Sequence, residues 1–320
     1  MEKVLVLLSS YNGEKYIDEQ IDSLFAQEGV DVHVLIRDDG STDNTVGVIN
    51  KRIGRGERIT LITGRNLGFA MSFMTLVKEA HGHIGDYSYF AFCDQDDFWL
   101  PGKLSAAVGM LRKESMDDRP NLYWSGFTLA DEHLRPLWGR PDDEEAKSEP
   151  VKDVYRPVIT KPTILVRYFM LGCTMVFDRN MVEFIHQHEP KGKLTMHDLW
   201  LSQTAIFFGH VVTDYRSYLL YRQHGHNAAG VDLSWRGRWR RFKKSLTTYE
   251  RRHFREVNAR NLLCTYQDIL SDQDYRLIES VAHYRDNLSK RISLLRNKEI
   301  NMGTFTSDLF IKARILLGLF

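Results

Sequence analysis

Val4-Leu-Val-Leu-Leu-Ser-Ser-Tyr-Asn-Gly13 sets five consecutive apolar side chains directly before a polar turn. A strand with one wet face alternates apolar and polar residues. A run without alternation predicts a strand covered on both faces, as in a parallel sheet. The pattern recurs downstream. Val32–Ile36 predicts a second strand closed by Asp38-Asp39-Gly40, Ile59–Ile62 a third, and Tyr87–Cys93 a fourth ending at Asp94-Gln95-Asp96-Asp97. Helical spacing fills the intervals. The stripes are Ile17, Ile21, Leu24 and Phe25; then Val46 and Ile49, with Ser41 as the expected N-cap; then Phe69, Phe73, Leu76, Val77 and Ala80. Leu104, Ala107, Val108 and Leu111 mark one more helix after the fourth strand. Strand and helix alternating at this interval argue for right-handed crossovers and an α/β fold with a parallel, doubly wound sheet.

The rest of the chain is less regular. Leu122–Leu129 and Cys173–Phe177 predict strands, Asp142–Glu149 an acidic solvated loop, and Val211–Tyr221 extended structure. A helix is expected after Asp198, carrying Leu199, Ala205 and Ile206. With 320 residues and 43% hydrophobic content the chain can bury a large core, and its length suggests about two domains. Lys and Arg number 43 against 42 Asp and Glu, a net charge of +1 that excludes a chain-wide nucleic-acid-binding balance. Cys93, Cys173 and Cys264 are too few and too far apart for a disulfide framework or a zinc site, which points to a reducing, cytoplasmic setting, with Cys93 and Cys173 as small core residues. No stretch is apolar enough to span a membrane; Ile159–Phe177 comes nearest but carries Lys161, Pro162 and Arg167. The short apolar run at the start reads as a strand and not as a signal peptide.

In open parallel sheets, ligands bind beyond the carboxyl ends of the strands. Four polar clusters fall there: Ser9, Tyr11 and Asn12; Asp38 and Asp39; Arg65, Asn66 and Gly68; Asp94, Asp96 and Asp97. Any one is ordinary turn chemistry, but four converging clusters indicate a shared ligand site. Neither a GxxxxGK[ST] loop nor a GxGxxG turn follows the first strand, so the usual phosphate cradles are missing. Carboxylates repel bare phosphate unless a divalent cation intervenes. Asp94 and Asp96 can divide the work, one toward a ribose hydroxyl and one toward a hard cation such as Mg²⁺ or Mn²⁺.

Taken together, Ser9-Ser-Tyr-Asn-Gly13 with Tyr16-Ile17 and Glu19-Gln20, Arg37-Asp-Asp-Gly-Ser-Thr-Asp-Asn-Thr45 and Asp94-Gln-Asp-Asp97 resemble the family 2 inverting glycosyltransferases of GT-A fold. The resemblance runs from about residue 3 to residue 230. Gly64-Arg-Asn-Leu-Gly-Phe69, His197-Asp198 and Tyr221-Arg-Gln-His-Gly-His-Asn227 bring it closer to the bacterial rhamnosyltransferase-like branch. That branch builds cell-wall or capsular polysaccharide from dTDP-L-rhamnose. The resemblance implies a GT-A catalytic domain over residues 1–230, Rossmann-like with a mostly parallel sheet flanked by helices. A helical C-terminal extension follows over 231–320.

It further implies that Ser9, Tyr11 and Asp39 hold the nucleotide base with Asp38 nearby. Asp94 would meet the ribose and Asp96 the metal, with His224 completing its shell or touching the diphosphate. Asp198 would be the catalytic base, with a helix N-cap as its bland alternative, and Arg222 would offset leaving-group charge, which the positive charge of Arg65 also suits. His197 reads as a neighbour. The implied partners are a nucleotide-sugar donor and a saccharide or lipid-linked saccharide acceptor, and not nucleic acid. A UDP-hexose donor and a non-catalytic sugar-nucleotide-binding scaffold are the alternatives. The glycine-rich basic loop of a sugar-nucleotide pyrophosphorylase is lacking at Ser9–Gly13.

Processive synthases of this family carry Gln-x-x-Arg-Trp and membrane helices. Here Arg236-Gly-Arg-Trp239 lacks the glutamine, so addition of one or a few sugars by a soluble or peripheral enzyme is expected. From Trp235 to Arg255 basic residues far outnumber acids, with Trp235, Trp239, Phe242 and Phe254 interleaved. This stretch, reinforced by Leu309–Phe320, suits an anionic membrane surface at the inner face of the cell membrane. Its bland alternative is packing on the catalytic domain or in a homo-oligomer.

Overall fold

The computed structural model describes residues 1–137, 158–192, 194–224, 253–300 and 305–320. Asp142–Glu149, His226 and the basic stretch Trp235–Lys244 lie outside the described residues. Two compact units are present. The first comprises Met1–Arg156, Met170–Gln187 and Met196–Gly230, and the second Pro157–Phe169, His188–Thr195 and Val231–Phe320.

The first unit is built on one eight-stranded sheet. Its strands are β1 (Glu2–Ser10), β2 (Val30–Asp38), β3 (Ile59–Thr63), β4 (Tyr89–Asp94), β5 (Phe98–Trp99), β6 (Asn121–Ala130), β7 (Met175–Asp178) and β8 (His210–Arg222), in the order β3-β2-β1-β4-β7-β6-β8-β5. β1 pairs in parallel with both β2 and β4, and β2 with β3. Val4, Val6, Leu7 and Leu8 are fully buried, as the run without alternation requires. Helices α1 (Ile17–Phe25), α2 (Thr45–Gly54), α3 (Phe69–His81) and α4 (Lys103–Glu114) follow β1, β2, β3 and β5. Ile17, Ile21 and Leu24 of α1, Ile49 of α2, and Leu104, Ala107 and Leu111 of α4 all reach the core.

The far half of the sheet departs from the parallel expectation. β7 inserts antiparallel between β4 and β6, and β5 pairs antiparallel with β8, while β6 and β8 run parallel. The sheet is therefore mixed. Three local expectations also change. Ser41 does not cap α2, whose N-cap is Asn44; the Ser41 side chain is drawn to Asp38 instead. Phe69 leaves the buried stripe of α3 and is 48% exposed, because it sits in the first turn where the chain emerges from the Gly68 loop. Cys173 belongs to a 3₁₀ turn, Gly172–Thr174, that precedes β7. The turn leads into that strand, and α6 (Arg179–Gln187) and α7 (His197–Phe208) follow it.

The second unit is helical, with α5 (Lys161–Val166), α8 (Phe254–Tyr266), α9 (Asp272–Ala282), α10 (Leu288–Arg296) and α11 (Phe305–Leu316). Ala259, Leu262, Tyr266, Ile278, Val281, Tyr284 and Ile311 form its interior. Among the described residues no helix is long and apolar enough to cross a membrane.

Candidate active site

In-register pairing levels the carboxyl ends of β2, β1 and β4: Ser9 lies opposite Arg37 on one side and Asp94 on the other. The loops leaving these ends are stitched together. Asn12 takes the left-handed conformation (φ 49°), which asparagine tolerates better than most residues. Its amide donates to Ser41 Oγ at 2.9 Å, and its Oδ1 accepts from the Thr42 amide at 2.8 Å. Gln95 grips the neighbouring backbone: Tyr11 N–H donates to Gln95 Oε1 at 2.8 Å and Gln95 Nε2 donates to Tyr11 O at 3.0 Å. Tyr11 itself stays 46% exposed.

Asp38 and Asp39 are buried, and internal donors occupy both. Asp38 accepts from the amides of Gly40 (3.2 Å) and Ser41 (2.9 Å) and from Ser10 Oγ (3.1 Å). Asp39 accepts from Arg37 Nη1 and from the amides of Leu67 (2.8 Å) and Gly68 (2.9 Å). Arg37 also donates to Ser72 Oγ at 3.0 Å and to Arg65 O at 3.0 Å, and Ser72 Oγ meets Ser9 Oγ at 2.6 Å. This buried pair thus shapes the loop carrying Arg65, Asn66 and Gly68. Gly68 (φ 80°) is needed for its backbone conformation, since an added Cβ would meet nothing within 4 Å. The side chains of Arg65 and Asn66 are exposed at the rim.

β4 ends on the acidic run. Burial, followed by the charges of Asp96 and Asp198, raises the Asp94 carboxyl to about 7. Asp96 is 16% exposed, and its Oδ2 lies 2.8 Å from His224 Nε2. Asp97 is fully buried and accepts from the Arg222 amide at 3.3 Å; burial holds its carboxyl well above the ordinary range. The ligand atoms of Asp94, Asp97 and Cys173 lie within 4.8 Å of one another. Lys103 is buried behind them with its Nζ 3.7 Å from the centre of the Trp99 ring, and burial lowers it to about 8.

Sequence reasoning places Arg222 beside the leaving group. Its guanidinium is instead committed to the protein: Nε donates to Asp96 O at 2.8 Å, Nη1 to Glu132 O at 2.5 Å, and Nη2 to Glu19. It also lies over the Tyr16 ring, 4.7 Å from its centre, and His224 stacks on the same ring at 4.8 Å. Arg222 therefore acts on the site by holding the Asp96 backbone. Glu19, Tyr16 and Glu132 enter the site with it. Motif reading quotes Tyr16 and Glu19 without assigning them a role; an arginine ending an apolar strand, which needs partners when buried, was the available signal.

Asp198 is not the N-cap of α7, a place taken by Met196; it lies in the first turn. It is 4% exposed, and its Oδ2 accepts from the Gly172 amide at 3.1 Å. Its charge bears on Asp94, so the two carboxylates, from different elements, belong to one electrostatic site. His197 is buried, stacks on Phe73 at 3.9 Å and meets the edge of Phe92 at 4.9 Å. Burial lowers it to about 4, so it is neutral packing beside Asp198.

Asp96 and His224 set a carboxylate oxygen and a ring nitrogen 2.8 Å apart, donor types that suit Mg²⁺ and, with the nitrogen, Mn²⁺. Asp97 and Cys173 face the core and suit a hard, hydrated ion less well.

Residues 5–119 match the family model Glycosyl transferase family 2. That segment, about a third of the chain, carries the family 2 glycosyltransferase sequence pattern. The dTDP-rhamnosyl transferase RfbG of Shigella flexneri is 26% identical to this chain over 245 residues, 73% of this chain and 77% of that protein. The chondroitin synthase of Pasteurella multocida is 35% identical over 116 residues, 36% of this chain and 11% of the synthase. Among solved structures, S. aureus TarS 1–349 in complex with UDP-GlcNAc superposes with a TM-score of 0.57 at 16% identity, covering 100% of this chain and 82% of TarS. The mannosyltransferase PcManGT from Pyrobaculum calidifontis, in complex with GDP-Man and Mn²⁺, gives 0.52 at 16% identity over 99% and 80% of the two chains. At these identities the structural likeness is one of fold: the chain has the GT-A architecture, with a helical C-terminal region.

Proposed function

We propose that this glycosyltransferase is a divalent-cation-dependent inverting enzyme that transfers L-rhamnose from dTDP-L-rhamnose to a saccharide acceptor, lipid-linked, in cell-wall or capsular polysaccharide synthesis. One observation carries the mechanism: Asp198, on α7, is close enough to raise the carboxyl of Asp94, at the end of β4. The similarity to a dTDP-rhamnosyl transferase over 73% of the chain supports the donor.

In this reading Tyr11 stacks on the base, with Ser9, Asn12, Asp38 and Asp39 framing the loops around it. Asp94 accepts from the ribose hydroxyl. Asp96 and His224 would hold a divalent cation, which when bound would supply positive charge to offset the leaving group. Arg65, exposed on the Gly68 loop with Asn66, adds to that charge from the rim, while Arg222 fixes Asp96. Asp198 takes the proton from the acceptor hydroxyl as it attacks the anomeric carbon opposite the leaving group, help worth about 10²–10⁴-fold in rate.

The test is thermal shift with dTDP and with UDP, each with and without Mn²⁺, followed by a donor screen for nucleotide release. Cation-dependent stabilisation by dTDP and turnover of dTDP-L-rhamnose are expected. Preference for UDP and turnover of a UDP-hexose would replace the donor. Binding without turnover of any donor would leave a sugar-nucleotide-binding scaffold.

A further inference from the structure

The second unit ends in a helix that is apolar on opposite faces. Ile311 and Ile315 of α11, each 1% exposed, turn inward. Leu309, Leu316 and Leu317 are 61%, 56% and 71% exposed, and Ala313 is exposed between them. Positions 309, 313, 316 and 317 follow the i, i+4, i+7, i+8 spacing of an apolar stripe, here directed outward. Phe310 flanks the stripe at 50% exposure. α10 adds Leu288 and Ile292, 67% and 38% exposed and one turn apart. Arg291 ties the two helices by donating from Nη1 to Leu316 O at 3.3 Å. Single exposed leucines are ordinary, but an apolar outer stripe on a helix that already buries its inner one calls for a second apolar medium.

Charge identifies the medium. From α10 to the end of the chain, residues 288–320, there are 6 Lys and Arg against 2 Asp and Glu, a formal +4 in a chain whose total is +1. Lys290 and Lys312 accompany the exposed apolar residues. A second copy of the same face would bring two such charges together, which association disfavours. A nucleic acid would offer phosphates but nothing to cover Leu309, Leu316 and Leu317. An anionic bilayer offers both an apolar boundary and negative headgroups. We propose that the α10–α11 face of the second unit docks into the headgroup region of an anionic membrane. The docking stands independently of the transfer reaction.

The experiment is co-sedimentation of the full chain with phosphatidylcholine vesicles, with and without phosphatidylglycerol, at low and high salt. Binding to the phosphatidylglycerol vesicles, weakened by salt, is expected. Leu309→Asp/Leu317→Asp should lower partition about tenfold or more, and Lys290→Glu/Lys312→Glu by about fivefold or more per charge. Leu309, Leu317 and Lys312 are exposed, whereas Lys290 Nζ lies 3.6 Å from both Glu279 Oε1 and Asp286 Oδ2; Lys290→Ala/Lys312→Ala, which adds no like charge there, replaces the Glu pair if circular dichroism or melting departs from the parent chain. Absence of sedimentation with both vesicle types, or unchanged partition of the folded leucine variant, overturns the proposal. So does a parent dimer that this variant converts to monomer without any vesicle binding, which would make the face a self-interface.

Discussion

The Gly172 amide donates to Asp198 Oδ2 at 3.1 Å, so a backbone group in the turn before β7 fixes the carboxylate on α7. The approach is close. A Cβ on Gly172 would stand 2.6 Å from His197 Nε2 and 3.5 Å from Asp198 Cβ. His197 is held from its other sides by Phe73 and Phe92, which leaves the ring little freedom to move aside.

Gly172→Ala should therefore displace the start of α7. Overpacking of this kind costs about 1–3 kcal/mol, and the proposed base moves with the helix. Steady-state kinetics should show kcat falling at least about tenfold, while nucleotide affinity, set at the β1 and β2 ends, changes little. An unchanged kcat in a destabilised variant would separate Asp198 from the chemistry.

Asp198→Asn keeps the shape and the acceptor oxygen for Gly172 but cannot take a proton. Transfer should fall by about 10²–10⁴-fold, with dTDP affinity by calorimetry nearly intact. Near-normal turnover would remove Asp198 from the role of base.

Arg222 is 3% exposed and holds Asp96 O, Glu132 O and Glu19 at once. Arg222→Met leaves those acceptors without their donor and should cost about 3–5 kcal/mol by denaturant unfolding. Arg222→Lys, which keeps the charge and loses the fork, should lie between the two. It should also raise the Mn²⁺ concentration needed for half-maximal activity, because the Asp96 backbone is no longer pinned. Unfolding at parental denaturant concentrations would contradict the clamp.

Asp94 gives a pH dependence of definite sign. Its folded-state value of about 7 lies above the ordinary carboxylate value near 4, so between these limits the folded chain keeps a proton that the unfolded chain has released. Its destabilising effect is absent at the acid end of that window, grows as pH rises, and is complete above it. The melting temperature of Asp94→Asn minus that of the parent should therefore increase from pH 5 to pH 8 in the absence of divalent cation. Cation affinity of the parent should tighten over the same window as Asp94 ionises. A pH-independent difference would mean that the carboxyl titrates normally.

Much of the site was legible before any coordinates. Val4–Gly13 and its three echoes fixed β1 to β4, because a strand covered on both faces leaves its mark in adjacent residues. The polar clusters at Ser9, Asp38, Arg65 and Asp94 followed from where such strands end. Ser41 and Phe69 were misread for the same reason: a cap and a stripe are local patterns, and both residues answer to the Asp38–Asp39 loop network instead.

Long-range closure was settled only by the folded chain. No periodicity says that β7 slips antiparallel between β4 and β6, which carries Gly172 toward Asp198. Nor does any say that Arg222 closes on Asp96 and Glu19, 126 and 203 residues away. Side-chain spacing records which face of an element avoids water. It does not record the neighbour that covers that face or the partner that satisfies a buried charge, because both depend on how every other element has packed.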